Sequence, residues 1–144
     1  EHGGAVYAEC GGLMYLSQGI VDNEQQQYQM CGVLPFKTEM NNRLRRLGYR
    51  EAQTLNDAIL GPAGTEYRGH EFHWSSVVEG SCQSPSPCCR ARGLRGKREW
   101  TPAGHQANNV YATYIHAHFA SNPQIANNII SFIKKHGVLT SVEA

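Results

Sequence analysis

Ala5-Val6-Tyr7-Ala8-Glu9-Cys10-Gly11-Gly12-Leu13-Met14-Tyr15-Leu16 is the stretch that decides the fold. Its first four residues are a short apolar run, the pattern of a buried strand. Cys10-Gly11-Gly12 then marks a sharp bend. Leu13, Leu16 and Ile20 follow at roughly helical spacing, until Gly19 weakens the pattern. The order is strand, tight turn, helix. A nucleophile on such a bend needs small residues two before and two after it, because the backbone is compressed there. Ala8 and Gly12 meet that need.

The bend suits a thiol for two chemical reasons. A helix N-terminus favours the thiolate and is expected to lower the Cys10 pKa. The Gly11 amide is expected to face the oxyanion of a tetrahedral intermediate, a contact worth about 3 kcal/mol. The competing reading is a buried structural cysteine, a common fate for the residue. The strand before Cys10 and the glycines after it favour the nucleophile.

Beyond the bend, an apolar stretch over 28–36 ends at Pro35-Phe36, and a strand is expected across Leu47-Gly48-Tyr49-Arg50. Gly61-Pro62-Ala63-Gly64 is a turn by composition. Residues 67–78 form a strand region carrying Arg68-Gly69-His70-Glu71-Phe72-His73-Trp74-Ser75. Residues 80–105 are expected to be an exposed loop, unusually long for a compact domain. A β-rich run over 110–115 leads to His116-Ala117-His118. Asn122-Pro123 then opens a helix with a capping residue before a first-turn proline. Ile125, Ile129 and Ile133 supply its apolar stripe, and Lys134, Lys135 and His136 before Gly137 its end. Strands and helices interleave, which gives the α/β class.

A thiolate nucleophile needs a base to take its proton and return it to the leaving group. Seven histidines compete: His2, His70, His73, His105, His116, His118 and His136. His116 ends a strand-like run, and in open α/β sheets the carboxyl ends of strands line the ligand crevice. If both runs end on one edge, Cys10 and His116 meet although they lie near opposite ends of the chain. His118 fits the same pattern, and the residues alone do not separate the two.

The chain has 144 residues, enough for one domain with a real core. A formal charge of +1 points neither to nucleic acid nor to an anionic membrane. No apolar stretch approaches the ~20 residues that span a bilayer, and no signal-peptide pattern opens the chain. Five cysteines (Cys10, Cys31, Cys82, Cys88 and Cys89) make a poor disulfide framework, so a reducing, cytoplasmic setting is expected. Glu1-His2-Gly3-Gly4 leads almost directly into the first strand. That abrupt start predicts a fragment of something longer.

Val6-Tyr7-Ala8-Glu9-Cys10-Gly11-Gly12-Leu13-Met14-Tyr15-Leu16 closely resembles the nucleophile segment of cobyrinic acid a,c-diamide synthases. The Arg68-to-Ser75 block is similar to a second segment of that family. Asn108-Asn109-Val110-Tyr111-Ala112-Thr113-Tyr114-Ile115-His116-Ala117-His118-Phe119 is similar to a third. The resemblance implies a class I glutamine amidotransferase-like (flavodoxin-like) sheet with flanking helices, the N-terminal part missing, so that 1–144 is the C-terminal portion of the domain. It implies that Cys10 attacks the side-chain amide of glutamine and that His116 activates it. Ammonia would pass to a separate ATP-binding synthetase domain. There ATP and magnesium drive amidation of the a- and c-acetate carboxylates of a corrin, in cobalamin biosynthesis. Related class I enzymes carry a glutamate two residues after the histidine; here that position is His118. A Cys-His pair with another orienting group is therefore expected.

Several secondary patterns were weighed beside this one. His70, Glu71 and His73 are candidates for binding glutamine or facing the synthetase domain. Strand alternation would put Glu71 and His73 on one face and His70 on the other. His70 and His73 with Cys82, Cys88 and Cys89 form a weak zinc pattern, lacking C-x-x-C and the H-E-x-x-H spacing, so no metal is expected. Leu94-Arg95-Gly96-Lys97-Arg98 is no Walker A loop, and ATP is therefore assigned to the missing domain. The basic tract Arg90, Arg92, Arg95, Lys97 and Arg98 lacks interleaved aromatics and is expected to be solvated. The alternatives kept are the glutaminase part of a cobyric acid or nickel-tetrapyrrole amide synthase, and a catalytically inert partner-binding fragment.

Overall fold

The computed structural model describes residues 3–78, 86–96 and 99–136. His2, Cys82, Lys97, Arg98 and Gly137, each named above, lie outside the described residues. The α/β class is observed in a form dominated by strands, with two α-helices and one 3-10 turn among the described residues. Strand β1 (Val6–Glu9) leads through Cys10 into helix α1 (Gly11–Leu16). The expected helix is thus short. Ser17 closes it with its hydroxyl on the Met14 carbonyl at 2.7 Å, and Ile20 belongs instead to strand β2 (Gly19–Val21). A backbone bond from Gly32 to the Ser17 carbonyl and one from Leu34 to the Leu16 carbonyl, both 2.8 Å, tie that helix end to the following segment.

Three sheets follow. In the first, β1 pairs in parallel with β11 (Val110–Thr113), in the register Val6↔Val110 to Glu9↔Thr113, and β10 (His105–Ala107) pairs antiparallel with β11. The second runs β12 (His116–Ala117), β6 (Glu66–His73), β5 (Arg46–Thr54), β8 (Cys89–Gly93) and β9 (Thr101–Ala103). The third runs β3 (Gln27–Gln29), β2, β4 (Lys37–Met40) and β7 (Ser75–Val78). The β1–β11 pair stands between two apolar cores, and the side-chain alternation of a strand explains how. Ala8 and Ala112 pack with Leu13, Leu34 and Phe36. Tyr7 and Tyr111 face the other cluster, with Ile115 and Ile125.

Residues 80–105 were expected to be a loop. Within their described part the chain instead forms β8 and β9, and it enters β10 at His105. Cys88 and Cys89 are fully buried, their sulfurs turned to the Ala103 carbonyl at 3.6 and 3.3 Å. The guanidinium groups of Arg90 and Arg92 lie over the Trp100 ring, at 5.0 and 4.5 Å from its centre. The tract reads as polar because its arginines alternate with buried Cys89 and Ala91 on a two-sided strand.

Helix α2 (Gln124–His136) starts where Asn122-Pro123 places it, with the Gln124 amide donating to the Asn122 side chain at 3.2 Å. Ile125 is buried, while Ile129 and Phe132 pack partly against the core. Ile133, expected in the same stripe, is exposed instead. It falls beyond the arc that the core covers, and Phe132 takes that place.

One glycine fixes the route to the site. Gly69 sits on β6 opposite Ala117, and a Cβ there would collide with the His116 carbonyl oxygen and the Ile115 side chain. Only the bare backbone lets β12 lie against β6. We expect Gly69→Ala to destabilise the fold by about 1–3 kcal/mol, the range for overpacking. Denaturant unfolding checks this, and a change below about 0.5 kcal/mol would contradict the tight approach.

Candidate active site

Cys10 occupies the turn between β1 and α1 with φ 49° and ψ −105°. For a residue with a side chain this left-handed backbone costs about 1–3 kcal/mol, a strain typical of functional positions. Tight packing holds it. A Cβ on Gly12 would lie 3.3 Å from the Ala8 Cβ, which explains the small residues on both sides. The Cys10 amide donates to the Thr113 carbonyl at 2.8 Å and the Cys10 carbonyl accepts from the Met14 amide at 3.2 Å. The bend is therefore pinned to β11 on one side and to α1 on the other.

Burial pushes the Cys10 thiol above its ordinary pKa. The Gly11 backbone amide pulls the other way, and the nearby Glu9 carboxylate pushes further up. The expected lowering by a helix N-terminus is overturned. Helix α1 has only six residues, too short for its dipole to outweigh desolvation. Among the described residues, the Gly11 backbone amide is the one group that favours charge on the sulfur.

The parallel register brings β1 and β11 to a common edge. Cys10 follows directly on Glu9, and His116 opens β12 shortly beyond Thr113. Glu9 connects the two. One carboxylate oxygen accepts from the Tyr7 hydroxyl at 2.5 Å and from the Ala117 amide at 2.7 Å. The other lies 3.5 Å from His116 Nδ1. Burial, with Glu9 as the next cause, raises the Tyr7 pKa, which keeps its hydroxyl a donor. A carboxylate on Nδ1 favours the tautomer that protonates that nitrogen and leaves Nε2 free to take a proton. The His116 ring also stacks on His70, with centres 4.8 Å apart and planes 12° apart. Reading the sequence missed Glu9. Strand alternation puts it on the face of Tyr7, but nothing local names His116 and Ala117 as its partners.

The other candidates separate by face, as alternation predicts. His70 shares a face with His116, to which it is register-paired. Glu71 and His73 lie on the opposite face, where they line a cavity. Glu71 pairs with Arg50 at 2.6 Å. His73 is buried, and its ring stacks on Tyr114 at 3.9 Å between centres. Tyr114 in turn accepts from the Ser75 hydroxyl at 3.0 Å. Its own pKa is pushed up to about 12, mainly by burial and partly by the charge of Cys10. His118, the rival base, caps the 3-10 turn and gives its backbone amide to the Arg68 carbonyl at 2.8 Å. Among the described residues no three His, Cys, Asp or Glu side chains converge as a metal site would need. None of the helices is long and apolar enough to cross a membrane, among the described residues.

Residues 1–124 match the CobB/CobQ-like glutamine amidotransferase domain. The chain belongs to that family. Among similar proteins, the cobyrinate a,c-diamide synthase of Dehalococcoides mccartyi is 42% identical over 134 residues, which is 93% of this chain and 29% of that protein. The proteins of the same name from Salmonella typhimurium and Listeria monocytogenes are 37% and 39% identical, each over 94% of this chain and 29% of their own length. This amidotransferase domain thus spans under a third of the length of the curated relatives it matches.

Because desolvation dominates at Cys10, alkylation by a neutral reagent should accelerate with rising pH, with a midpoint above the ordinary thiol value of about 8.5. Mass spectrometry of the Cys10 peptide across pH checks this. A midpoint near 6 would contradict it.

Proposed function

We propose that the domain hydrolyses glutamine, with Cys10 as nucleophile and His116 as its base. The Glu9 carboxylate carries the proposal: Glu9 adjoins Cys10 in sequence, and its carboxylate lies 3.5 Å from His116 Nδ1. The thiol proton passes to His116 Nε2, and the sulfur attacks the side-chain amide carbon of glutamine. The resulting oxyanion is stabilised by the Gly11 amide. Collapse breaks the C–N bond, and the imidazolium returns the proton to the leaving nitrogen as ammonia. Water then attacks the thioester, giving glutamate and restoring the thiol. A raised thiol pKa fits this scheme, since it makes a proton acceptor necessary at neutral pH.

Glu9 stands in for the glutamate that related class I enzymes carry two residues after the histidine. It holds the ring from the Nδ1 side, which leaves Nε2 turned to proton transfer. His70, stacked on the other side, limits the rotation of the ring. Both are positioning residues, and neither touches glutamine in this scheme.

The ammonia serves the amidation of carboxylates on a corrin acceptor. The name of the relatives, cobyrinate a,c-diamide synthase, supports this assignment. Amidation consumes ATP with magnesium, and both are placed in a synthetase domain elsewhere in the longer enzymes. Gly96 follows β8, which pairs antiparallel with β9, the next described strand, whereas a phosphate loop runs from a strand into a helix. Free thiols at Cys10, Cys31, Cys88 and Cys89 fit a reducing cytoplasm.

Labelling with 6-diazo-5-oxo-norleucine, a glutamine analogue, tests the nucleophile. One equivalent on Cys10 is expected, and Cys10→Ser should abolish it. Labelling elsewhere, or none, would overturn the assignment. Glutaminase kinetics test the base and its partner. Glu9→Gln should lower kcat by at least about tenfold with little change in KM, because the group acts on His116 and not on bound glutamine. Equal loss through KM alone would refute the positioning role.

A further inference from the structure

On the face of β5 and β6 opposite the His70–His116 stack lies a cavity of about 570 Å³. Sites for small organic molecules occupy roughly 300–1,000 Å³, so this one has room for much more than an ion. Arg46, Arg50, Arg92 and Arg95 line it against only two acidic residues, Glu71 and Glu99. Two of the arginines are already engaged: Arg50 with Glu71 at 2.6 Å, and Arg92 with Glu51 at 2.8 Å. Arg46 and Arg95 are exposed at the cavity, and neither has an ion-pair partner among the described residues. Two free guanidinium forks over one concavity match two carboxylates.

His73 gives the wall a second, different demand. It is 8% exposed, and its Nδ1 lies 2.8 Å from the Ser75 carbonyl. A carbonyl can only accept, so Nδ1 is the protonated nitrogen. Burial lowers the pKa of the ring and keeps it neutral. Nε2 is then a lone pair, buried and without a hydrogen-bond partner among the described residues. Such an orphan acceptor costs about 1–3 kcal/mol unless a donor reaches it.

We propose that this cavity binds a small organic molecule with two or more carboxylates, which pair with Arg46 and Arg95, and with an N–H or O–H group that donates to His73 Nε2. An inorganic anion without an O–H, such as sulfate, would satisfy the arginines but leave Nε2 orphaned. The site is distinct from the thiol, because Cys10, Gly11 and His116 do not line it. Tyr114 is the wall between them, stacked on His73 and electrostatically linked to Cys10. Two sources offer the required chemistry: glutamate, with two carboxylates and an ammonium, and a larger polycarboxylate acceptor.

Calorimetric titration of the Cys10→Ser protein separates these, because it prevents turnover and does not depend on the proposed glutaminase chemistry. The probes are L-glutamate, cobyrinic acid and inorganic sulfate. Binding of cobyrinic acid or glutamate, tighter than sulfate, is expected, and which of the two binds names the source. Arg46→Gln and Arg95→Gln should each weaken it by roughly tenfold or more, the loss of a charge-assisted contact. Both side chains are exposed, and unchanged circular dichroism shows that the variants fold. His73→Phe should weaken carboxylate binding while leaving sulfate binding as it was. No binding of either organic probe, or binding untouched by the arginine substitutions, would overturn the proposal.

Discussion

Four residue pairs in parallel register, Val6↔Val110 through Glu9↔Thr113, hold the candidate site together. A parallel pair aligns the carboxyl ends of two strands that are distant in sequence. Here it delivers Cys10 and the His116 segment to one edge. The pair is stable because both of its faces are buried: Ala8 and Ala112 against one core, Tyr7 and Tyr111 against the other. The Tyr67 and Tyr111 hydroxyls, 2.9 Å apart, satisfy each other within the second core. Slipping the register by one residue would turn each of these side chains to the wrong core.

The strain at Cys10 is sustained by the same pairing. A backbone bond to Thr113 from the N-terminal side and the first helical bond from the C-terminal side leave the bend no lower-energy route. The half-buried thiol and the small residues around it follow from one constraint, a strand that must turn at once into a helix. The carboxylate of Glu9 is a second consequence. Strand geometry sends it toward the neighbouring strand end, where it caps the Ala117 amide and approaches His116. A single dipeptide, Glu9-Cys10, thereby supplies both the candidate nucleophile and the carboxylate that lies against His116.

The parts of the structure that were legible in the sequence are those governed by local rules. The strand–turn–helix at Cys10, the turn at Gly61-Pro62-Ala63-Gly64 and the capped start of α2 depend on nearby residues, and they fall where those residues place them. The face separation of His70 from Glu71 and His73 follows from alternation alone. What was not legible depends on distant partners. Arg90 and Arg92 look solvated until β5 and Trp100 are placed beside them. The direction of the Cys10 pKa shift turns on desolvation by elements far along the chain, which no motif records. Glu9 was overlooked because its partners, Ala117 and His116, become neighbours only after the chain folds.

The central claim is a meeting of the Cys10 sulfur with the imidazole of His116, made possible by the aligned strand ends and held by Glu9. A high-resolution crystal structure of the protein tests it most directly. The account predicts a Cys10 Sγ to His116 Nε2 separation of about 3–4 Å, within reach of proton transfer directly or with slight closure. A ring turned to the far side of the sheet, with another group or bulk solvent facing the thiol, would contradict it.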